Sequence, residues 1–358
     1  MGQELALNVE QITTPALLVD LDAMEFNLQK MAGFFAGKRC RLRPHFKNHK
    51  VPLLAWKQLR AGAIGITCAT LREAEILVHH GVDSILIANE MAGEAKAERL
   101  AELSKFASVI VAIDNCSSVR DLARAQRNCK SQIEVVVDID IGLGRCGVTP
   151  GEAALGLAKC AAAEGLKLRG LMGYDGHHQE MRPSPERDES VRLGSSSLVE
   201  SAALIEGAGM PVSIVSTGGT GTHAVSGEYP GITEIQAGSY LLMDTIYVNR
   251  GASFRRSLTV LATVISVKSP GQAVIDCGVK AISGERGLST VKDMPGVSLR
   301  ALHAEHGLLE LQPDSQAAAE VGQKLELWVH YSDATINLHS SLYGVRHGKV
   351  EEVFRIEH

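Results

Sequence analysis

One segment near the N-terminus concentrates side chains that can do covalent chemistry. Residues 43–50 spell Arg-Pro-His-Phe-Lys-Asn-His-Lys, so Lys47 is flanked by His45, His49 and Arg43. A lysine amine attacks a carbonyl carbon only when it is unprotonated, and burial beside other cations lowers the pKa of such an amine. An arbitrary lysine is a solvated surface cation, because lysine is rarely buried. The flanking residues favour the other interpretation, in which Lys47 forms a Schiff base with a carbonyl compound.

Two glycine-rich segments have the composition of phosphate sites. The first spells Ser-Thr-Gly-Gly-Thr-Gly-Thr over 216–222, and the second spells Gly-Ser-Tyr over 238–240. Glycines let backbone N–H groups approach a phosphate closely, and Ser and Thr hydroxyls add further donors. A single segment of this kind is more often a flexible turn. Its meaning therefore depends on where the fold places it relative to Lys47.

Strand and helix patterns alternate through the first two thirds of the chain and predict a closed (β/α)8 barrel over residues 23–250. The eight β-branched apolar runs, separated by amphipathic helix patterns, are 41–46, 65–70, 84–89, 108–114, 133–140, 168–174, 212–217 and 232–237. In such a barrel reactive groups lie at the carboxyl ends of the strands, and phosphate commonly binds after strands seven and eight. Lys47 follows strand one and the glycine-rich segments follow strands seven and eight. The pattern therefore predicts all three at one end of the barrel.

The last third of the chain has a different pattern. Closely spaced strand patterns without a convincing long helix predict an all-β domain over residues 251–358. The early strand pattern at 14–22 is left over from the count of eight, and we expect it to join the β domain. A polar stretch at 182–188, after the sixth strand, is predicted to be an active-site loop.

The composition excludes several classes of function. A formal net charge of -5 leaves no basic excess for nucleic acid or for an anionic membrane surface. The sequence has neither a secretion signal nor an apolar run long enough for a membrane span, which predicts a cytoplasmic protein acting on a small molecule. The seven cysteines include no close CxxC pair and suggest no disulfide framework.

The segment around Lys47 resembles the RPHxKxHK motif of metal-activated D-threonine aldolases and eukaryotic-type D-serine dehydratases. These are alanine-racemase-like enzymes that depend on pyridoxal 5'-phosphate (PLP). The resemblance runs through nearly the whole chain, with matching segments at 14–22, 140–147, 173–177, 237–240, 305–307 and 333–339. It implies a PLP-binding barrel followed by a β domain, in agreement with the strand count. It also implies a homodimer in which each β domain contributes to the partner's active site.

The resemblance also implies roles for individual residues. Lys47 is expected to carry PLP as a Schiff base, while Arg145 and Tyr174, at the ends of strands five and six, line the cofactor ring. The expected phosphate site consists of Thr217, Gly218, Gly219, Gly238, Ser239 and Tyr240. The alternatives are a surface ion pair for Arg145 and packing at the barrel rim for Tyr174.

The metal ligands of this family are only partly recognisable. The relatives use a histidine and, two residues later, an aspartate or a cysteine, but alignment on Asp333 puts Tyr331 in the histidine position. We expect His330, one residue earlier, to bind a divalent cation together with Asp333 if the strand is bulged there. The alternatives are another ligand, His306 or His339, or loss of the site. Oxygen and nitrogen ligands suit Mn²⁺, Mg²⁺ or Ca²⁺.

The resemblance implies PLP-dependent retro-aldol cleavage of a D-configured β-hydroxy amino acid to glycine and an aldehyde, although the residue inventory itself is compatible with dehydration too. His177 or His306 is the expected base for the β-hydroxyl. No cysteine follows Cys277, which favours this reaction over dehydration of a D-serine or 3-hydroxyaspartate type, giving a 2-oxo acid and ammonia. The inventory also allows an amino-acid racemase, with Tyr331 or Tyr343 as the second base, and a non-catalytic PLP carrier. The extra β domain argues against a carrier.

Overall fold

A computed structural model describes residues 7–313 and 319–358, and the chain divides into two compact units. We call them the β unit and the barrel unit. The β unit consists of the residues up to Lys30, Asn48–Val51 and Ser239–His358. The barrel unit consists of Met31–Lys47 and Pro52–Gly238.

The barrel unit contains eight strands of one parallel sheet. Following β1 (Ala16–Asp20) in the chain, they are β2 (Arg41–Leu42), β3 (Ile66–Cys68), β4 (Ser84–Glu90), β5 (Ser108–Ile113), β6 (Glu134–Asp138), β7 (Lys167–Met172), β8 (Ile214–Thr217) and β9 (Glu234–Ile235). Their order in the sheet is β2-β9-β8-β7-β6-β5-β4-β3. The N–H groups of Ile64 and Thr67 donate to the carbonyls of Leu42 and Pro44, at 2.9 and 2.8 Å, which joins the two edges of the sheet. The predicted (β/α)8 barrel is confirmed.

The central strands are rich in β-branched and other apolar residues because the sheet is covered on both faces. β6, for example, is buried at all five positions. Inside the barrel, Leu86, Ile110, Val136, Met172 and Ile214 pack in one cluster. The helices of this part of the chain are α1 (Leu21–Phe35), α2 (Pro52–Arg60), α3 (Leu71–His79), α4 (Glu94–Leu103), α5 (Cys116–Cys129), α6 (Glu152–Ala163), α7 (Pro185–Gly207) and α8 (His223–Ser226).

Helix α7 begins within the stretch that was predicted to be a loop. The Ser184 side chain accepts a hydrogen bond from the N–H of Arg187, and Pro185 occupies the first turn. Ser is a favoured N-cap, and proline is tolerated in the first turn because its missing N–H would have no partner inside the helix. Residues 185–188 therefore belong to the helix, and the loop prediction for them is wrong.

One disulfide joins two of the barrel helices. Cys116, the first residue of α5, is bonded to Cys160 in α6. The two positions are separated by 44 residues in sequence. Their pairing depends on the packing of neighbouring barrel helices, which is why cysteine spacing did not indicate it.

The β unit consists mainly of strands around β1, and the predicted all-β domain is confirmed. β1 pairs antiparallel with β10 and parallel with β16, and a core cluster includes Ile12, Ala16, Leu18, Leu261 and Val350. The later elements are β10 (Leu258–Ser269), β11 (Gln272–Ile275), β12 (Thr290–Val291), β13 (Val297–Leu302), β14 (Gly307–Leu311), β15 (Lys324–Trp328), β16 (Ser341–Arg346) and β17 (Lys349–Arg355), with short helices α9 (Thr245–Asn249) and α10 (Ser332–Ile336). Of the helices described, none is long and apolar enough to cross a membrane.

Candidate functional site

Lys47 lies on a fixed turn at the carboxyl end of the first barrel strand. Residues Phe46–Asn48 form a single 3₁₀ turn after β2, and the Phe46 side chain is fully buried. The N–H of Lys47 donates to Nδ1 of His45 at 3.3 Å, which holds the start of the turn. Lys47 itself is half-buried. Its position therefore differs from that of a solvated loop cation.

Arg43 has a different role from the one its place in the motif suggests. Its guanidinium makes two hydrogen bonds to the carboxylate of Glu234, Nε to Oε1 and Nη2 to Oε2, each at 3.0 Å. Both side chains are buried, so the positive charge of Arg43 is offset by Glu234. Arg43 therefore joins β2 to β9 and does not act as an uncompensated cation beside Lys47.

The first glycine-rich segment follows β8 and packs closely against Gln179. A Cβ on Gly219 would lie 2.5 Å from Oε1 of Gln179, and a Cβ on Gly221 would meet the Gln179 carbonyl. Only glycine fits where another chain segment approaches so closely. The N–H of Gln236 donates to the Thr217 carbonyl at 3.2 Å, which links the segment to the chain leading to Gly238. The predicted phosphate residues of the barrel unit are thereby brought together.

The predicted phosphate residues Ser239 and Tyr240 belong to the β unit. The Tyr240 side chain is fully buried and packs against the Phe254 ring, with ring centroids 5.9 Å apart. The Ser239 carbonyl accepts a hydrogen bond from the N–H of Met243 at 2.8 Å. The Tyr240 side chain is thus a core residue of this unit.

Three more of the predicted residues meet at the loops after β6 and β7. Oδ1 of Asp140 accepts hydrogen bonds from the N–H groups of Gly142 and Gly144, at 2.9 and 3.0 Å, and so folds the loop that carries Arg145. The guanidinium carbon of Arg145 lies 5.6 Å from the centroid of the Tyr174 ring. Next to Gly142 lies the exposed imidazole of His177, whose Nε2 would be 3.3 Å from a Cβ there. Arg145, Tyr174 and His177 therefore share one face of the barrel unit.

An acidic cluster beside Arg145 was not predicted. Glu90, Asp114 and Cys146 have ligand atoms within 4.8 Å of one another, the one such group of three or more among the residues described. Burial raises the pKa of neighbouring Asp138 well above its usual range, and a hydrogen bond with Glu90 raises it further, whereas Arg145 opposes the rise. Asp138 therefore keeps its proton at pH values where an exposed aspartate is ionised.

This cluster had a recognisable signal in the sequence. Glu90 ends β4, Asp114 follows β5 and Asp138 ends β6. An acidic residue at the end of an apolar strand is a candidate for the active face of a barrel.

The predicted metal ligands His330 and Asp333 follow β15 in the β unit, His330 before α10 and Asp333 within it. Asp333 is in the first turn of α10, so no bulged strand brings it to the side of His330. Nε2 of His330 is 3.1 Å from the Arg286 carbonyl, while Oδ1 of Asp333 accepts a hydrogen bond from Nδ2 of Asn48 at 2.7 Å. A cation bound through Nε2 of His330 would have to displace the Arg286 carbonyl, whereas the Asp333 carboxylate could bind a cation and keep its hydrogen bond from Asn48. His330 therefore does not fit a preformed cation site in this arrangement.

The alternative histidines of the β unit differ from each other. Nε2 of His339 lies 2.7 Å from the Ala281 carbonyl, and burial lowers the pKa of its imidazole, as for a structural histidine. His306 is exposed in the turn between β13 and β14, where its carbonyl accepts from the N–H of His303 at 2.8 Å. Tyr331, which occupies the expected histidine position, has the guanidinium carbon of Arg286 5.0 Å from its ring centroid.

Comparison with protein families assigns both parts of the chain. Residues 19–245 match the family described as alanine racemase, N-terminal domain. Residues 257–345 match the family described as putative serine dehydratase domain. The first match covers most of the chain and includes Lys47, Arg145 and the first glycine-rich segment.

Individual relatives cover nearly the whole chain. The chain is 37% identical over 357 residues to D-threonine aldolase of an Arthrobacter species, covering 97% of this chain and 92% of the relative. It is 34% identical to 3-hydroxy-D-aspartate aldolase of Paracoccus denitrificans, covering 98% and 93%. The crystal structure of D-threonine aldolase from Filomicrobium marinum is similar with a TM-score of 0.95 and 36% identity, covering 99% of this chain and 98% of that one.

Proposed function

The chain belongs to the alanine-racemase-like family of enzymes that includes D-threonine aldolase, and from this premise we propose that it cleaves D-configured β-hydroxy amino acids with PLP as cofactor. The products are glycine and an aldehyde. The observation that carries the proposal is the arrangement of the barrel unit. Lys47 follows β2, and the glycine-rich segments follow β8 and β9, which come next to β2 in the sheet.

The residues of the barrel unit fit PLP. Gly219 and Gly221 pack so closely against Gln179 that a side chain would not fit at either position, and a glycine backbone with adjacent hydroxyls suits a phosphate. The half-buried Lys47 provides the amine for the aldehyde group. When bound, PLP supplies an electron sink for the negative charge that develops at the substrate Cα.

The side chains of the barrel unit have distinct tasks in the proposed reaction. The Nζ atom of Lys47 would hold the PLP aldehyde. Arg145 and Tyr174 would line the cofactor ring. An unprotonated ring nitrogen of His177 takes the proton of the β-hydroxyl, so the aldehyde C=O forms as the bond between Cα and Cβ breaks. The electron pair of that bond stays on Cα, and protonation of Cα gives glycine. His306 remains the alternative base, and comparing kcat of His177→Asn and His306→Asn distinguishes the two.

These tasks are assigned without a metal. A divalent cation bound by His330 and Asp333, Mn²⁺ or Mg²⁺, stays a prediction from the resemblance. Its test is metal activation after chelation. If the prediction holds, Asp333→Asn weakens activation by added Mn²⁺, whereas activity unchanged by chelator contradicts it.

A product assay tests the reaction. With D-threonine as substrate, we expect glycine and acetaldehyde in equal amounts. Lys47→Ala should abolish both the products and the borohydride-reducible PLP adduct. A Lys47→Ala protein that retains the adduct would contradict the central role of Lys47.

The second candidate function is dehydration. It is favoured by the match of residues 257–345 to the putative serine dehydratase domain. In this reaction Lys47 removes the Cα proton, and D-threonine yields 2-oxobutyrate and ammonia as the only products. Accumulation of an epimer of the substrate would instead indicate a racemase.

We also propose the homodimer that the resemblance implies. Sedimentation equilibrium should give about twice the mass of one chain. A mass of 38.3 kDa at micromolar concentration would contradict it.

A further inference from the structure

A buried glutamine lies directly behind the first glycine-rich segment. Gln179 follows the 3₁₀ turn Gly176–His178 after β7 and is 3% exposed. Its Nε2 donates to Oδ1 of Asp175 at 2.6 Å and to Oγ1 of Thr222 at 2.8 Å. Its Oε1 accepts the N–H of Gly221 at 2.9 Å. Both ends of one side-chain amide are therefore used, and two of its three partners belong to the segment.

The same network reaches two further backbone groups of the segment. The N–H of Gly219 donates to Oγ1 of Thr222 at 3.2 Å, the hydroxyl that Gln179 also contacts. The carbonyl of Gly221 accepts a hydrogen bond from Nη1 of Arg187 at 3.1 Å. Gly221 is thus held through both its N–H and its carbonyl. Loops without such contacts sample several conformations, which costs conformational entropy when a ligand binds.

Asp175 supports Gln179 from a buried position. Burial raises the pKa of its carboxyl, against hydrogen bonds from Thr222 and Gln179 that lower it. Because Oδ1 of Asp175 accepts from Nε2 of Gln179, the other end of the amide, Oε1, is directed at the N–H of Gly221.

We propose that Gln179, held by Asp175, is a positioning residue for the phosphate of the cofactor. It keeps the first glycine-rich segment in the conformation that receives the phosphate. It thereby sets the affinity for PLP without contacting the cofactor. The inference rests on the proposed function, because it takes PLP as the ligand of this segment. Its signature is a loss of affinity that depends on the phosphate group.

The test compares PLP with pyridoxal, which has the same aldehyde but no phosphate. Apoenzyme is titrated with each compound, and the dissociation constants are measured by absorbance and by calorimetry. Removal of a buried hydrogen-bonding partner predicts that Gln179→Leu raises the Kd for PLP about tenfold or more. The Kd for pyridoxal should change by less than a factor of about two, because its contact with Lys47 is unaffected.

The matched control is Gln126→Leu in the same unit. Gln126 likewise uses both ends of its side-chain amide, donating to the Gly165 carbonyl at 3.0 Å and accepting the N–H of Ile133 at 2.7 Å. These residues precede β7 and β6, at the other end of the strands from the glycine-rich segment. Gln126→Leu should lower stability without changing either Kd.

A second variant covers a failure of Gln179→Leu to fold. Thr222→Val keeps the shape of the side chain and removes only the hydroxyl shared by Gln179 and Gly219. It should raise the Kd for PLP selectively, by a smaller factor. Equal losses for PLP and pyridoxal, or no loss in either variant, overturn the inference. Absence of a Lys47-dependent PLP adduct in the unsubstituted protein overturns the proposed function itself.

Discussion

The guanidinium of Arg43 and the carboxylate of Glu234 form a buried, bidentate ion pair with both N–O distances at 3.0 Å. The pair joins the first strand of the barrel to the last, four residues before Lys47 on one side and four before Gly238 on the other. Nη1 of Arg43 also donates to the Ser84 hydroxyl at 3.0 Å. The chain segments that lead to the lysine and to the second glycine-rich segment therefore start from one fixed point.

Glu234→Gln is expected to lower the free energy of unfolding by about 3 to 5 kcal/mol, because it leaves the Arg43 charge buried without a counterion. The measurement is urea denaturation followed by circular dichroism. Glu228→Gln is the control, since Glu228 pairs with Lys38 at the surface, where such a pair contributes about 0 to 1 kcal/mol. Similar losses of unfolding free energy in the two variants would show that breaking the buried pair is no more destabilising than breaking the surface pair.

Asp138→Asn should flatten the dependence of stability on pH. The folded state raises the pKa of Asp138. Above about pH 4, therefore, the folded protein still holds a proton on Asp138 that the unfolded chain has released. This group therefore makes the protein less stable as pH rises from there through the folded-state pKa. Asparagine resembles the protonated form, so the variant should gain stability relative to the unsubstituted protein at pH 8 and gain less at pH 5. Urea midpoints at both pH values measure the effect, and an equal change at both would contradict it.

Gly147→Ala should be much more damaging than Gly144→Ala. Both glycines have positive φ, 97° and 68°, which costs alanine roughly 1 kcal/mol. Only at Gly147 would the new Cβ also lie 2.6 Å from the backbone nitrogen of Asp140. We expect a loss of about 3 kcal/mol for Gly147→Ala, since the loop must shift. Because this loop carries Arg145, the Kd for PLP should rise in Gly147→Ala and stay unchanged in Gly144→Ala.

Asp244→Asn should destabilise the β unit. Oδ2 of Asp244 accepts hydrogen bonds from the N–H of Ser332 at 3.0 Å and from its hydroxyl at 2.8 Å, and Oδ1 accepts from the N–H of Tyr247 at 3.3 Å. An amide would direct an N–H group at one of these donors, at a cost of about 1 to 3 kcal/mol. Thermal unfolding measures the change. An unaltered melting temperature would show that the start of α10 is held by other contacts.

The local pattern of the sequence determined the architecture. Eight apolar runs predict the eight barrel strands because a strand buried on both faces needs a continuous apolar segment, which is visible without a neighbour. The same holds for the position of Lys47 after the first strand and of the glycine-rich segments after the last two. The start of α7 was also readable from Ser184 and Pro185, but the polar composition of the stretch favoured a loop.

Tertiary structure decided which side chains meet. Glu90, Asp114 and Cys146 come together because β4, β5 and the loop after β6 are adjacent in a closed sheet, and Gln179 meets Gly221 for the same reason. His330 and Asp333 are close in sequence, yet each has a different hydrogen-bonding partner, because α10 begins between them. Lys47 could be proposed as the cofactor-binding lysine from its neighbours in sequence. Other groups hold the Lys47 turn, the junction between β2 and β9 and the first glycine-rich segment. They act over a few ångströms between segments far apart in the chain, and only the folded backbone sets those distances.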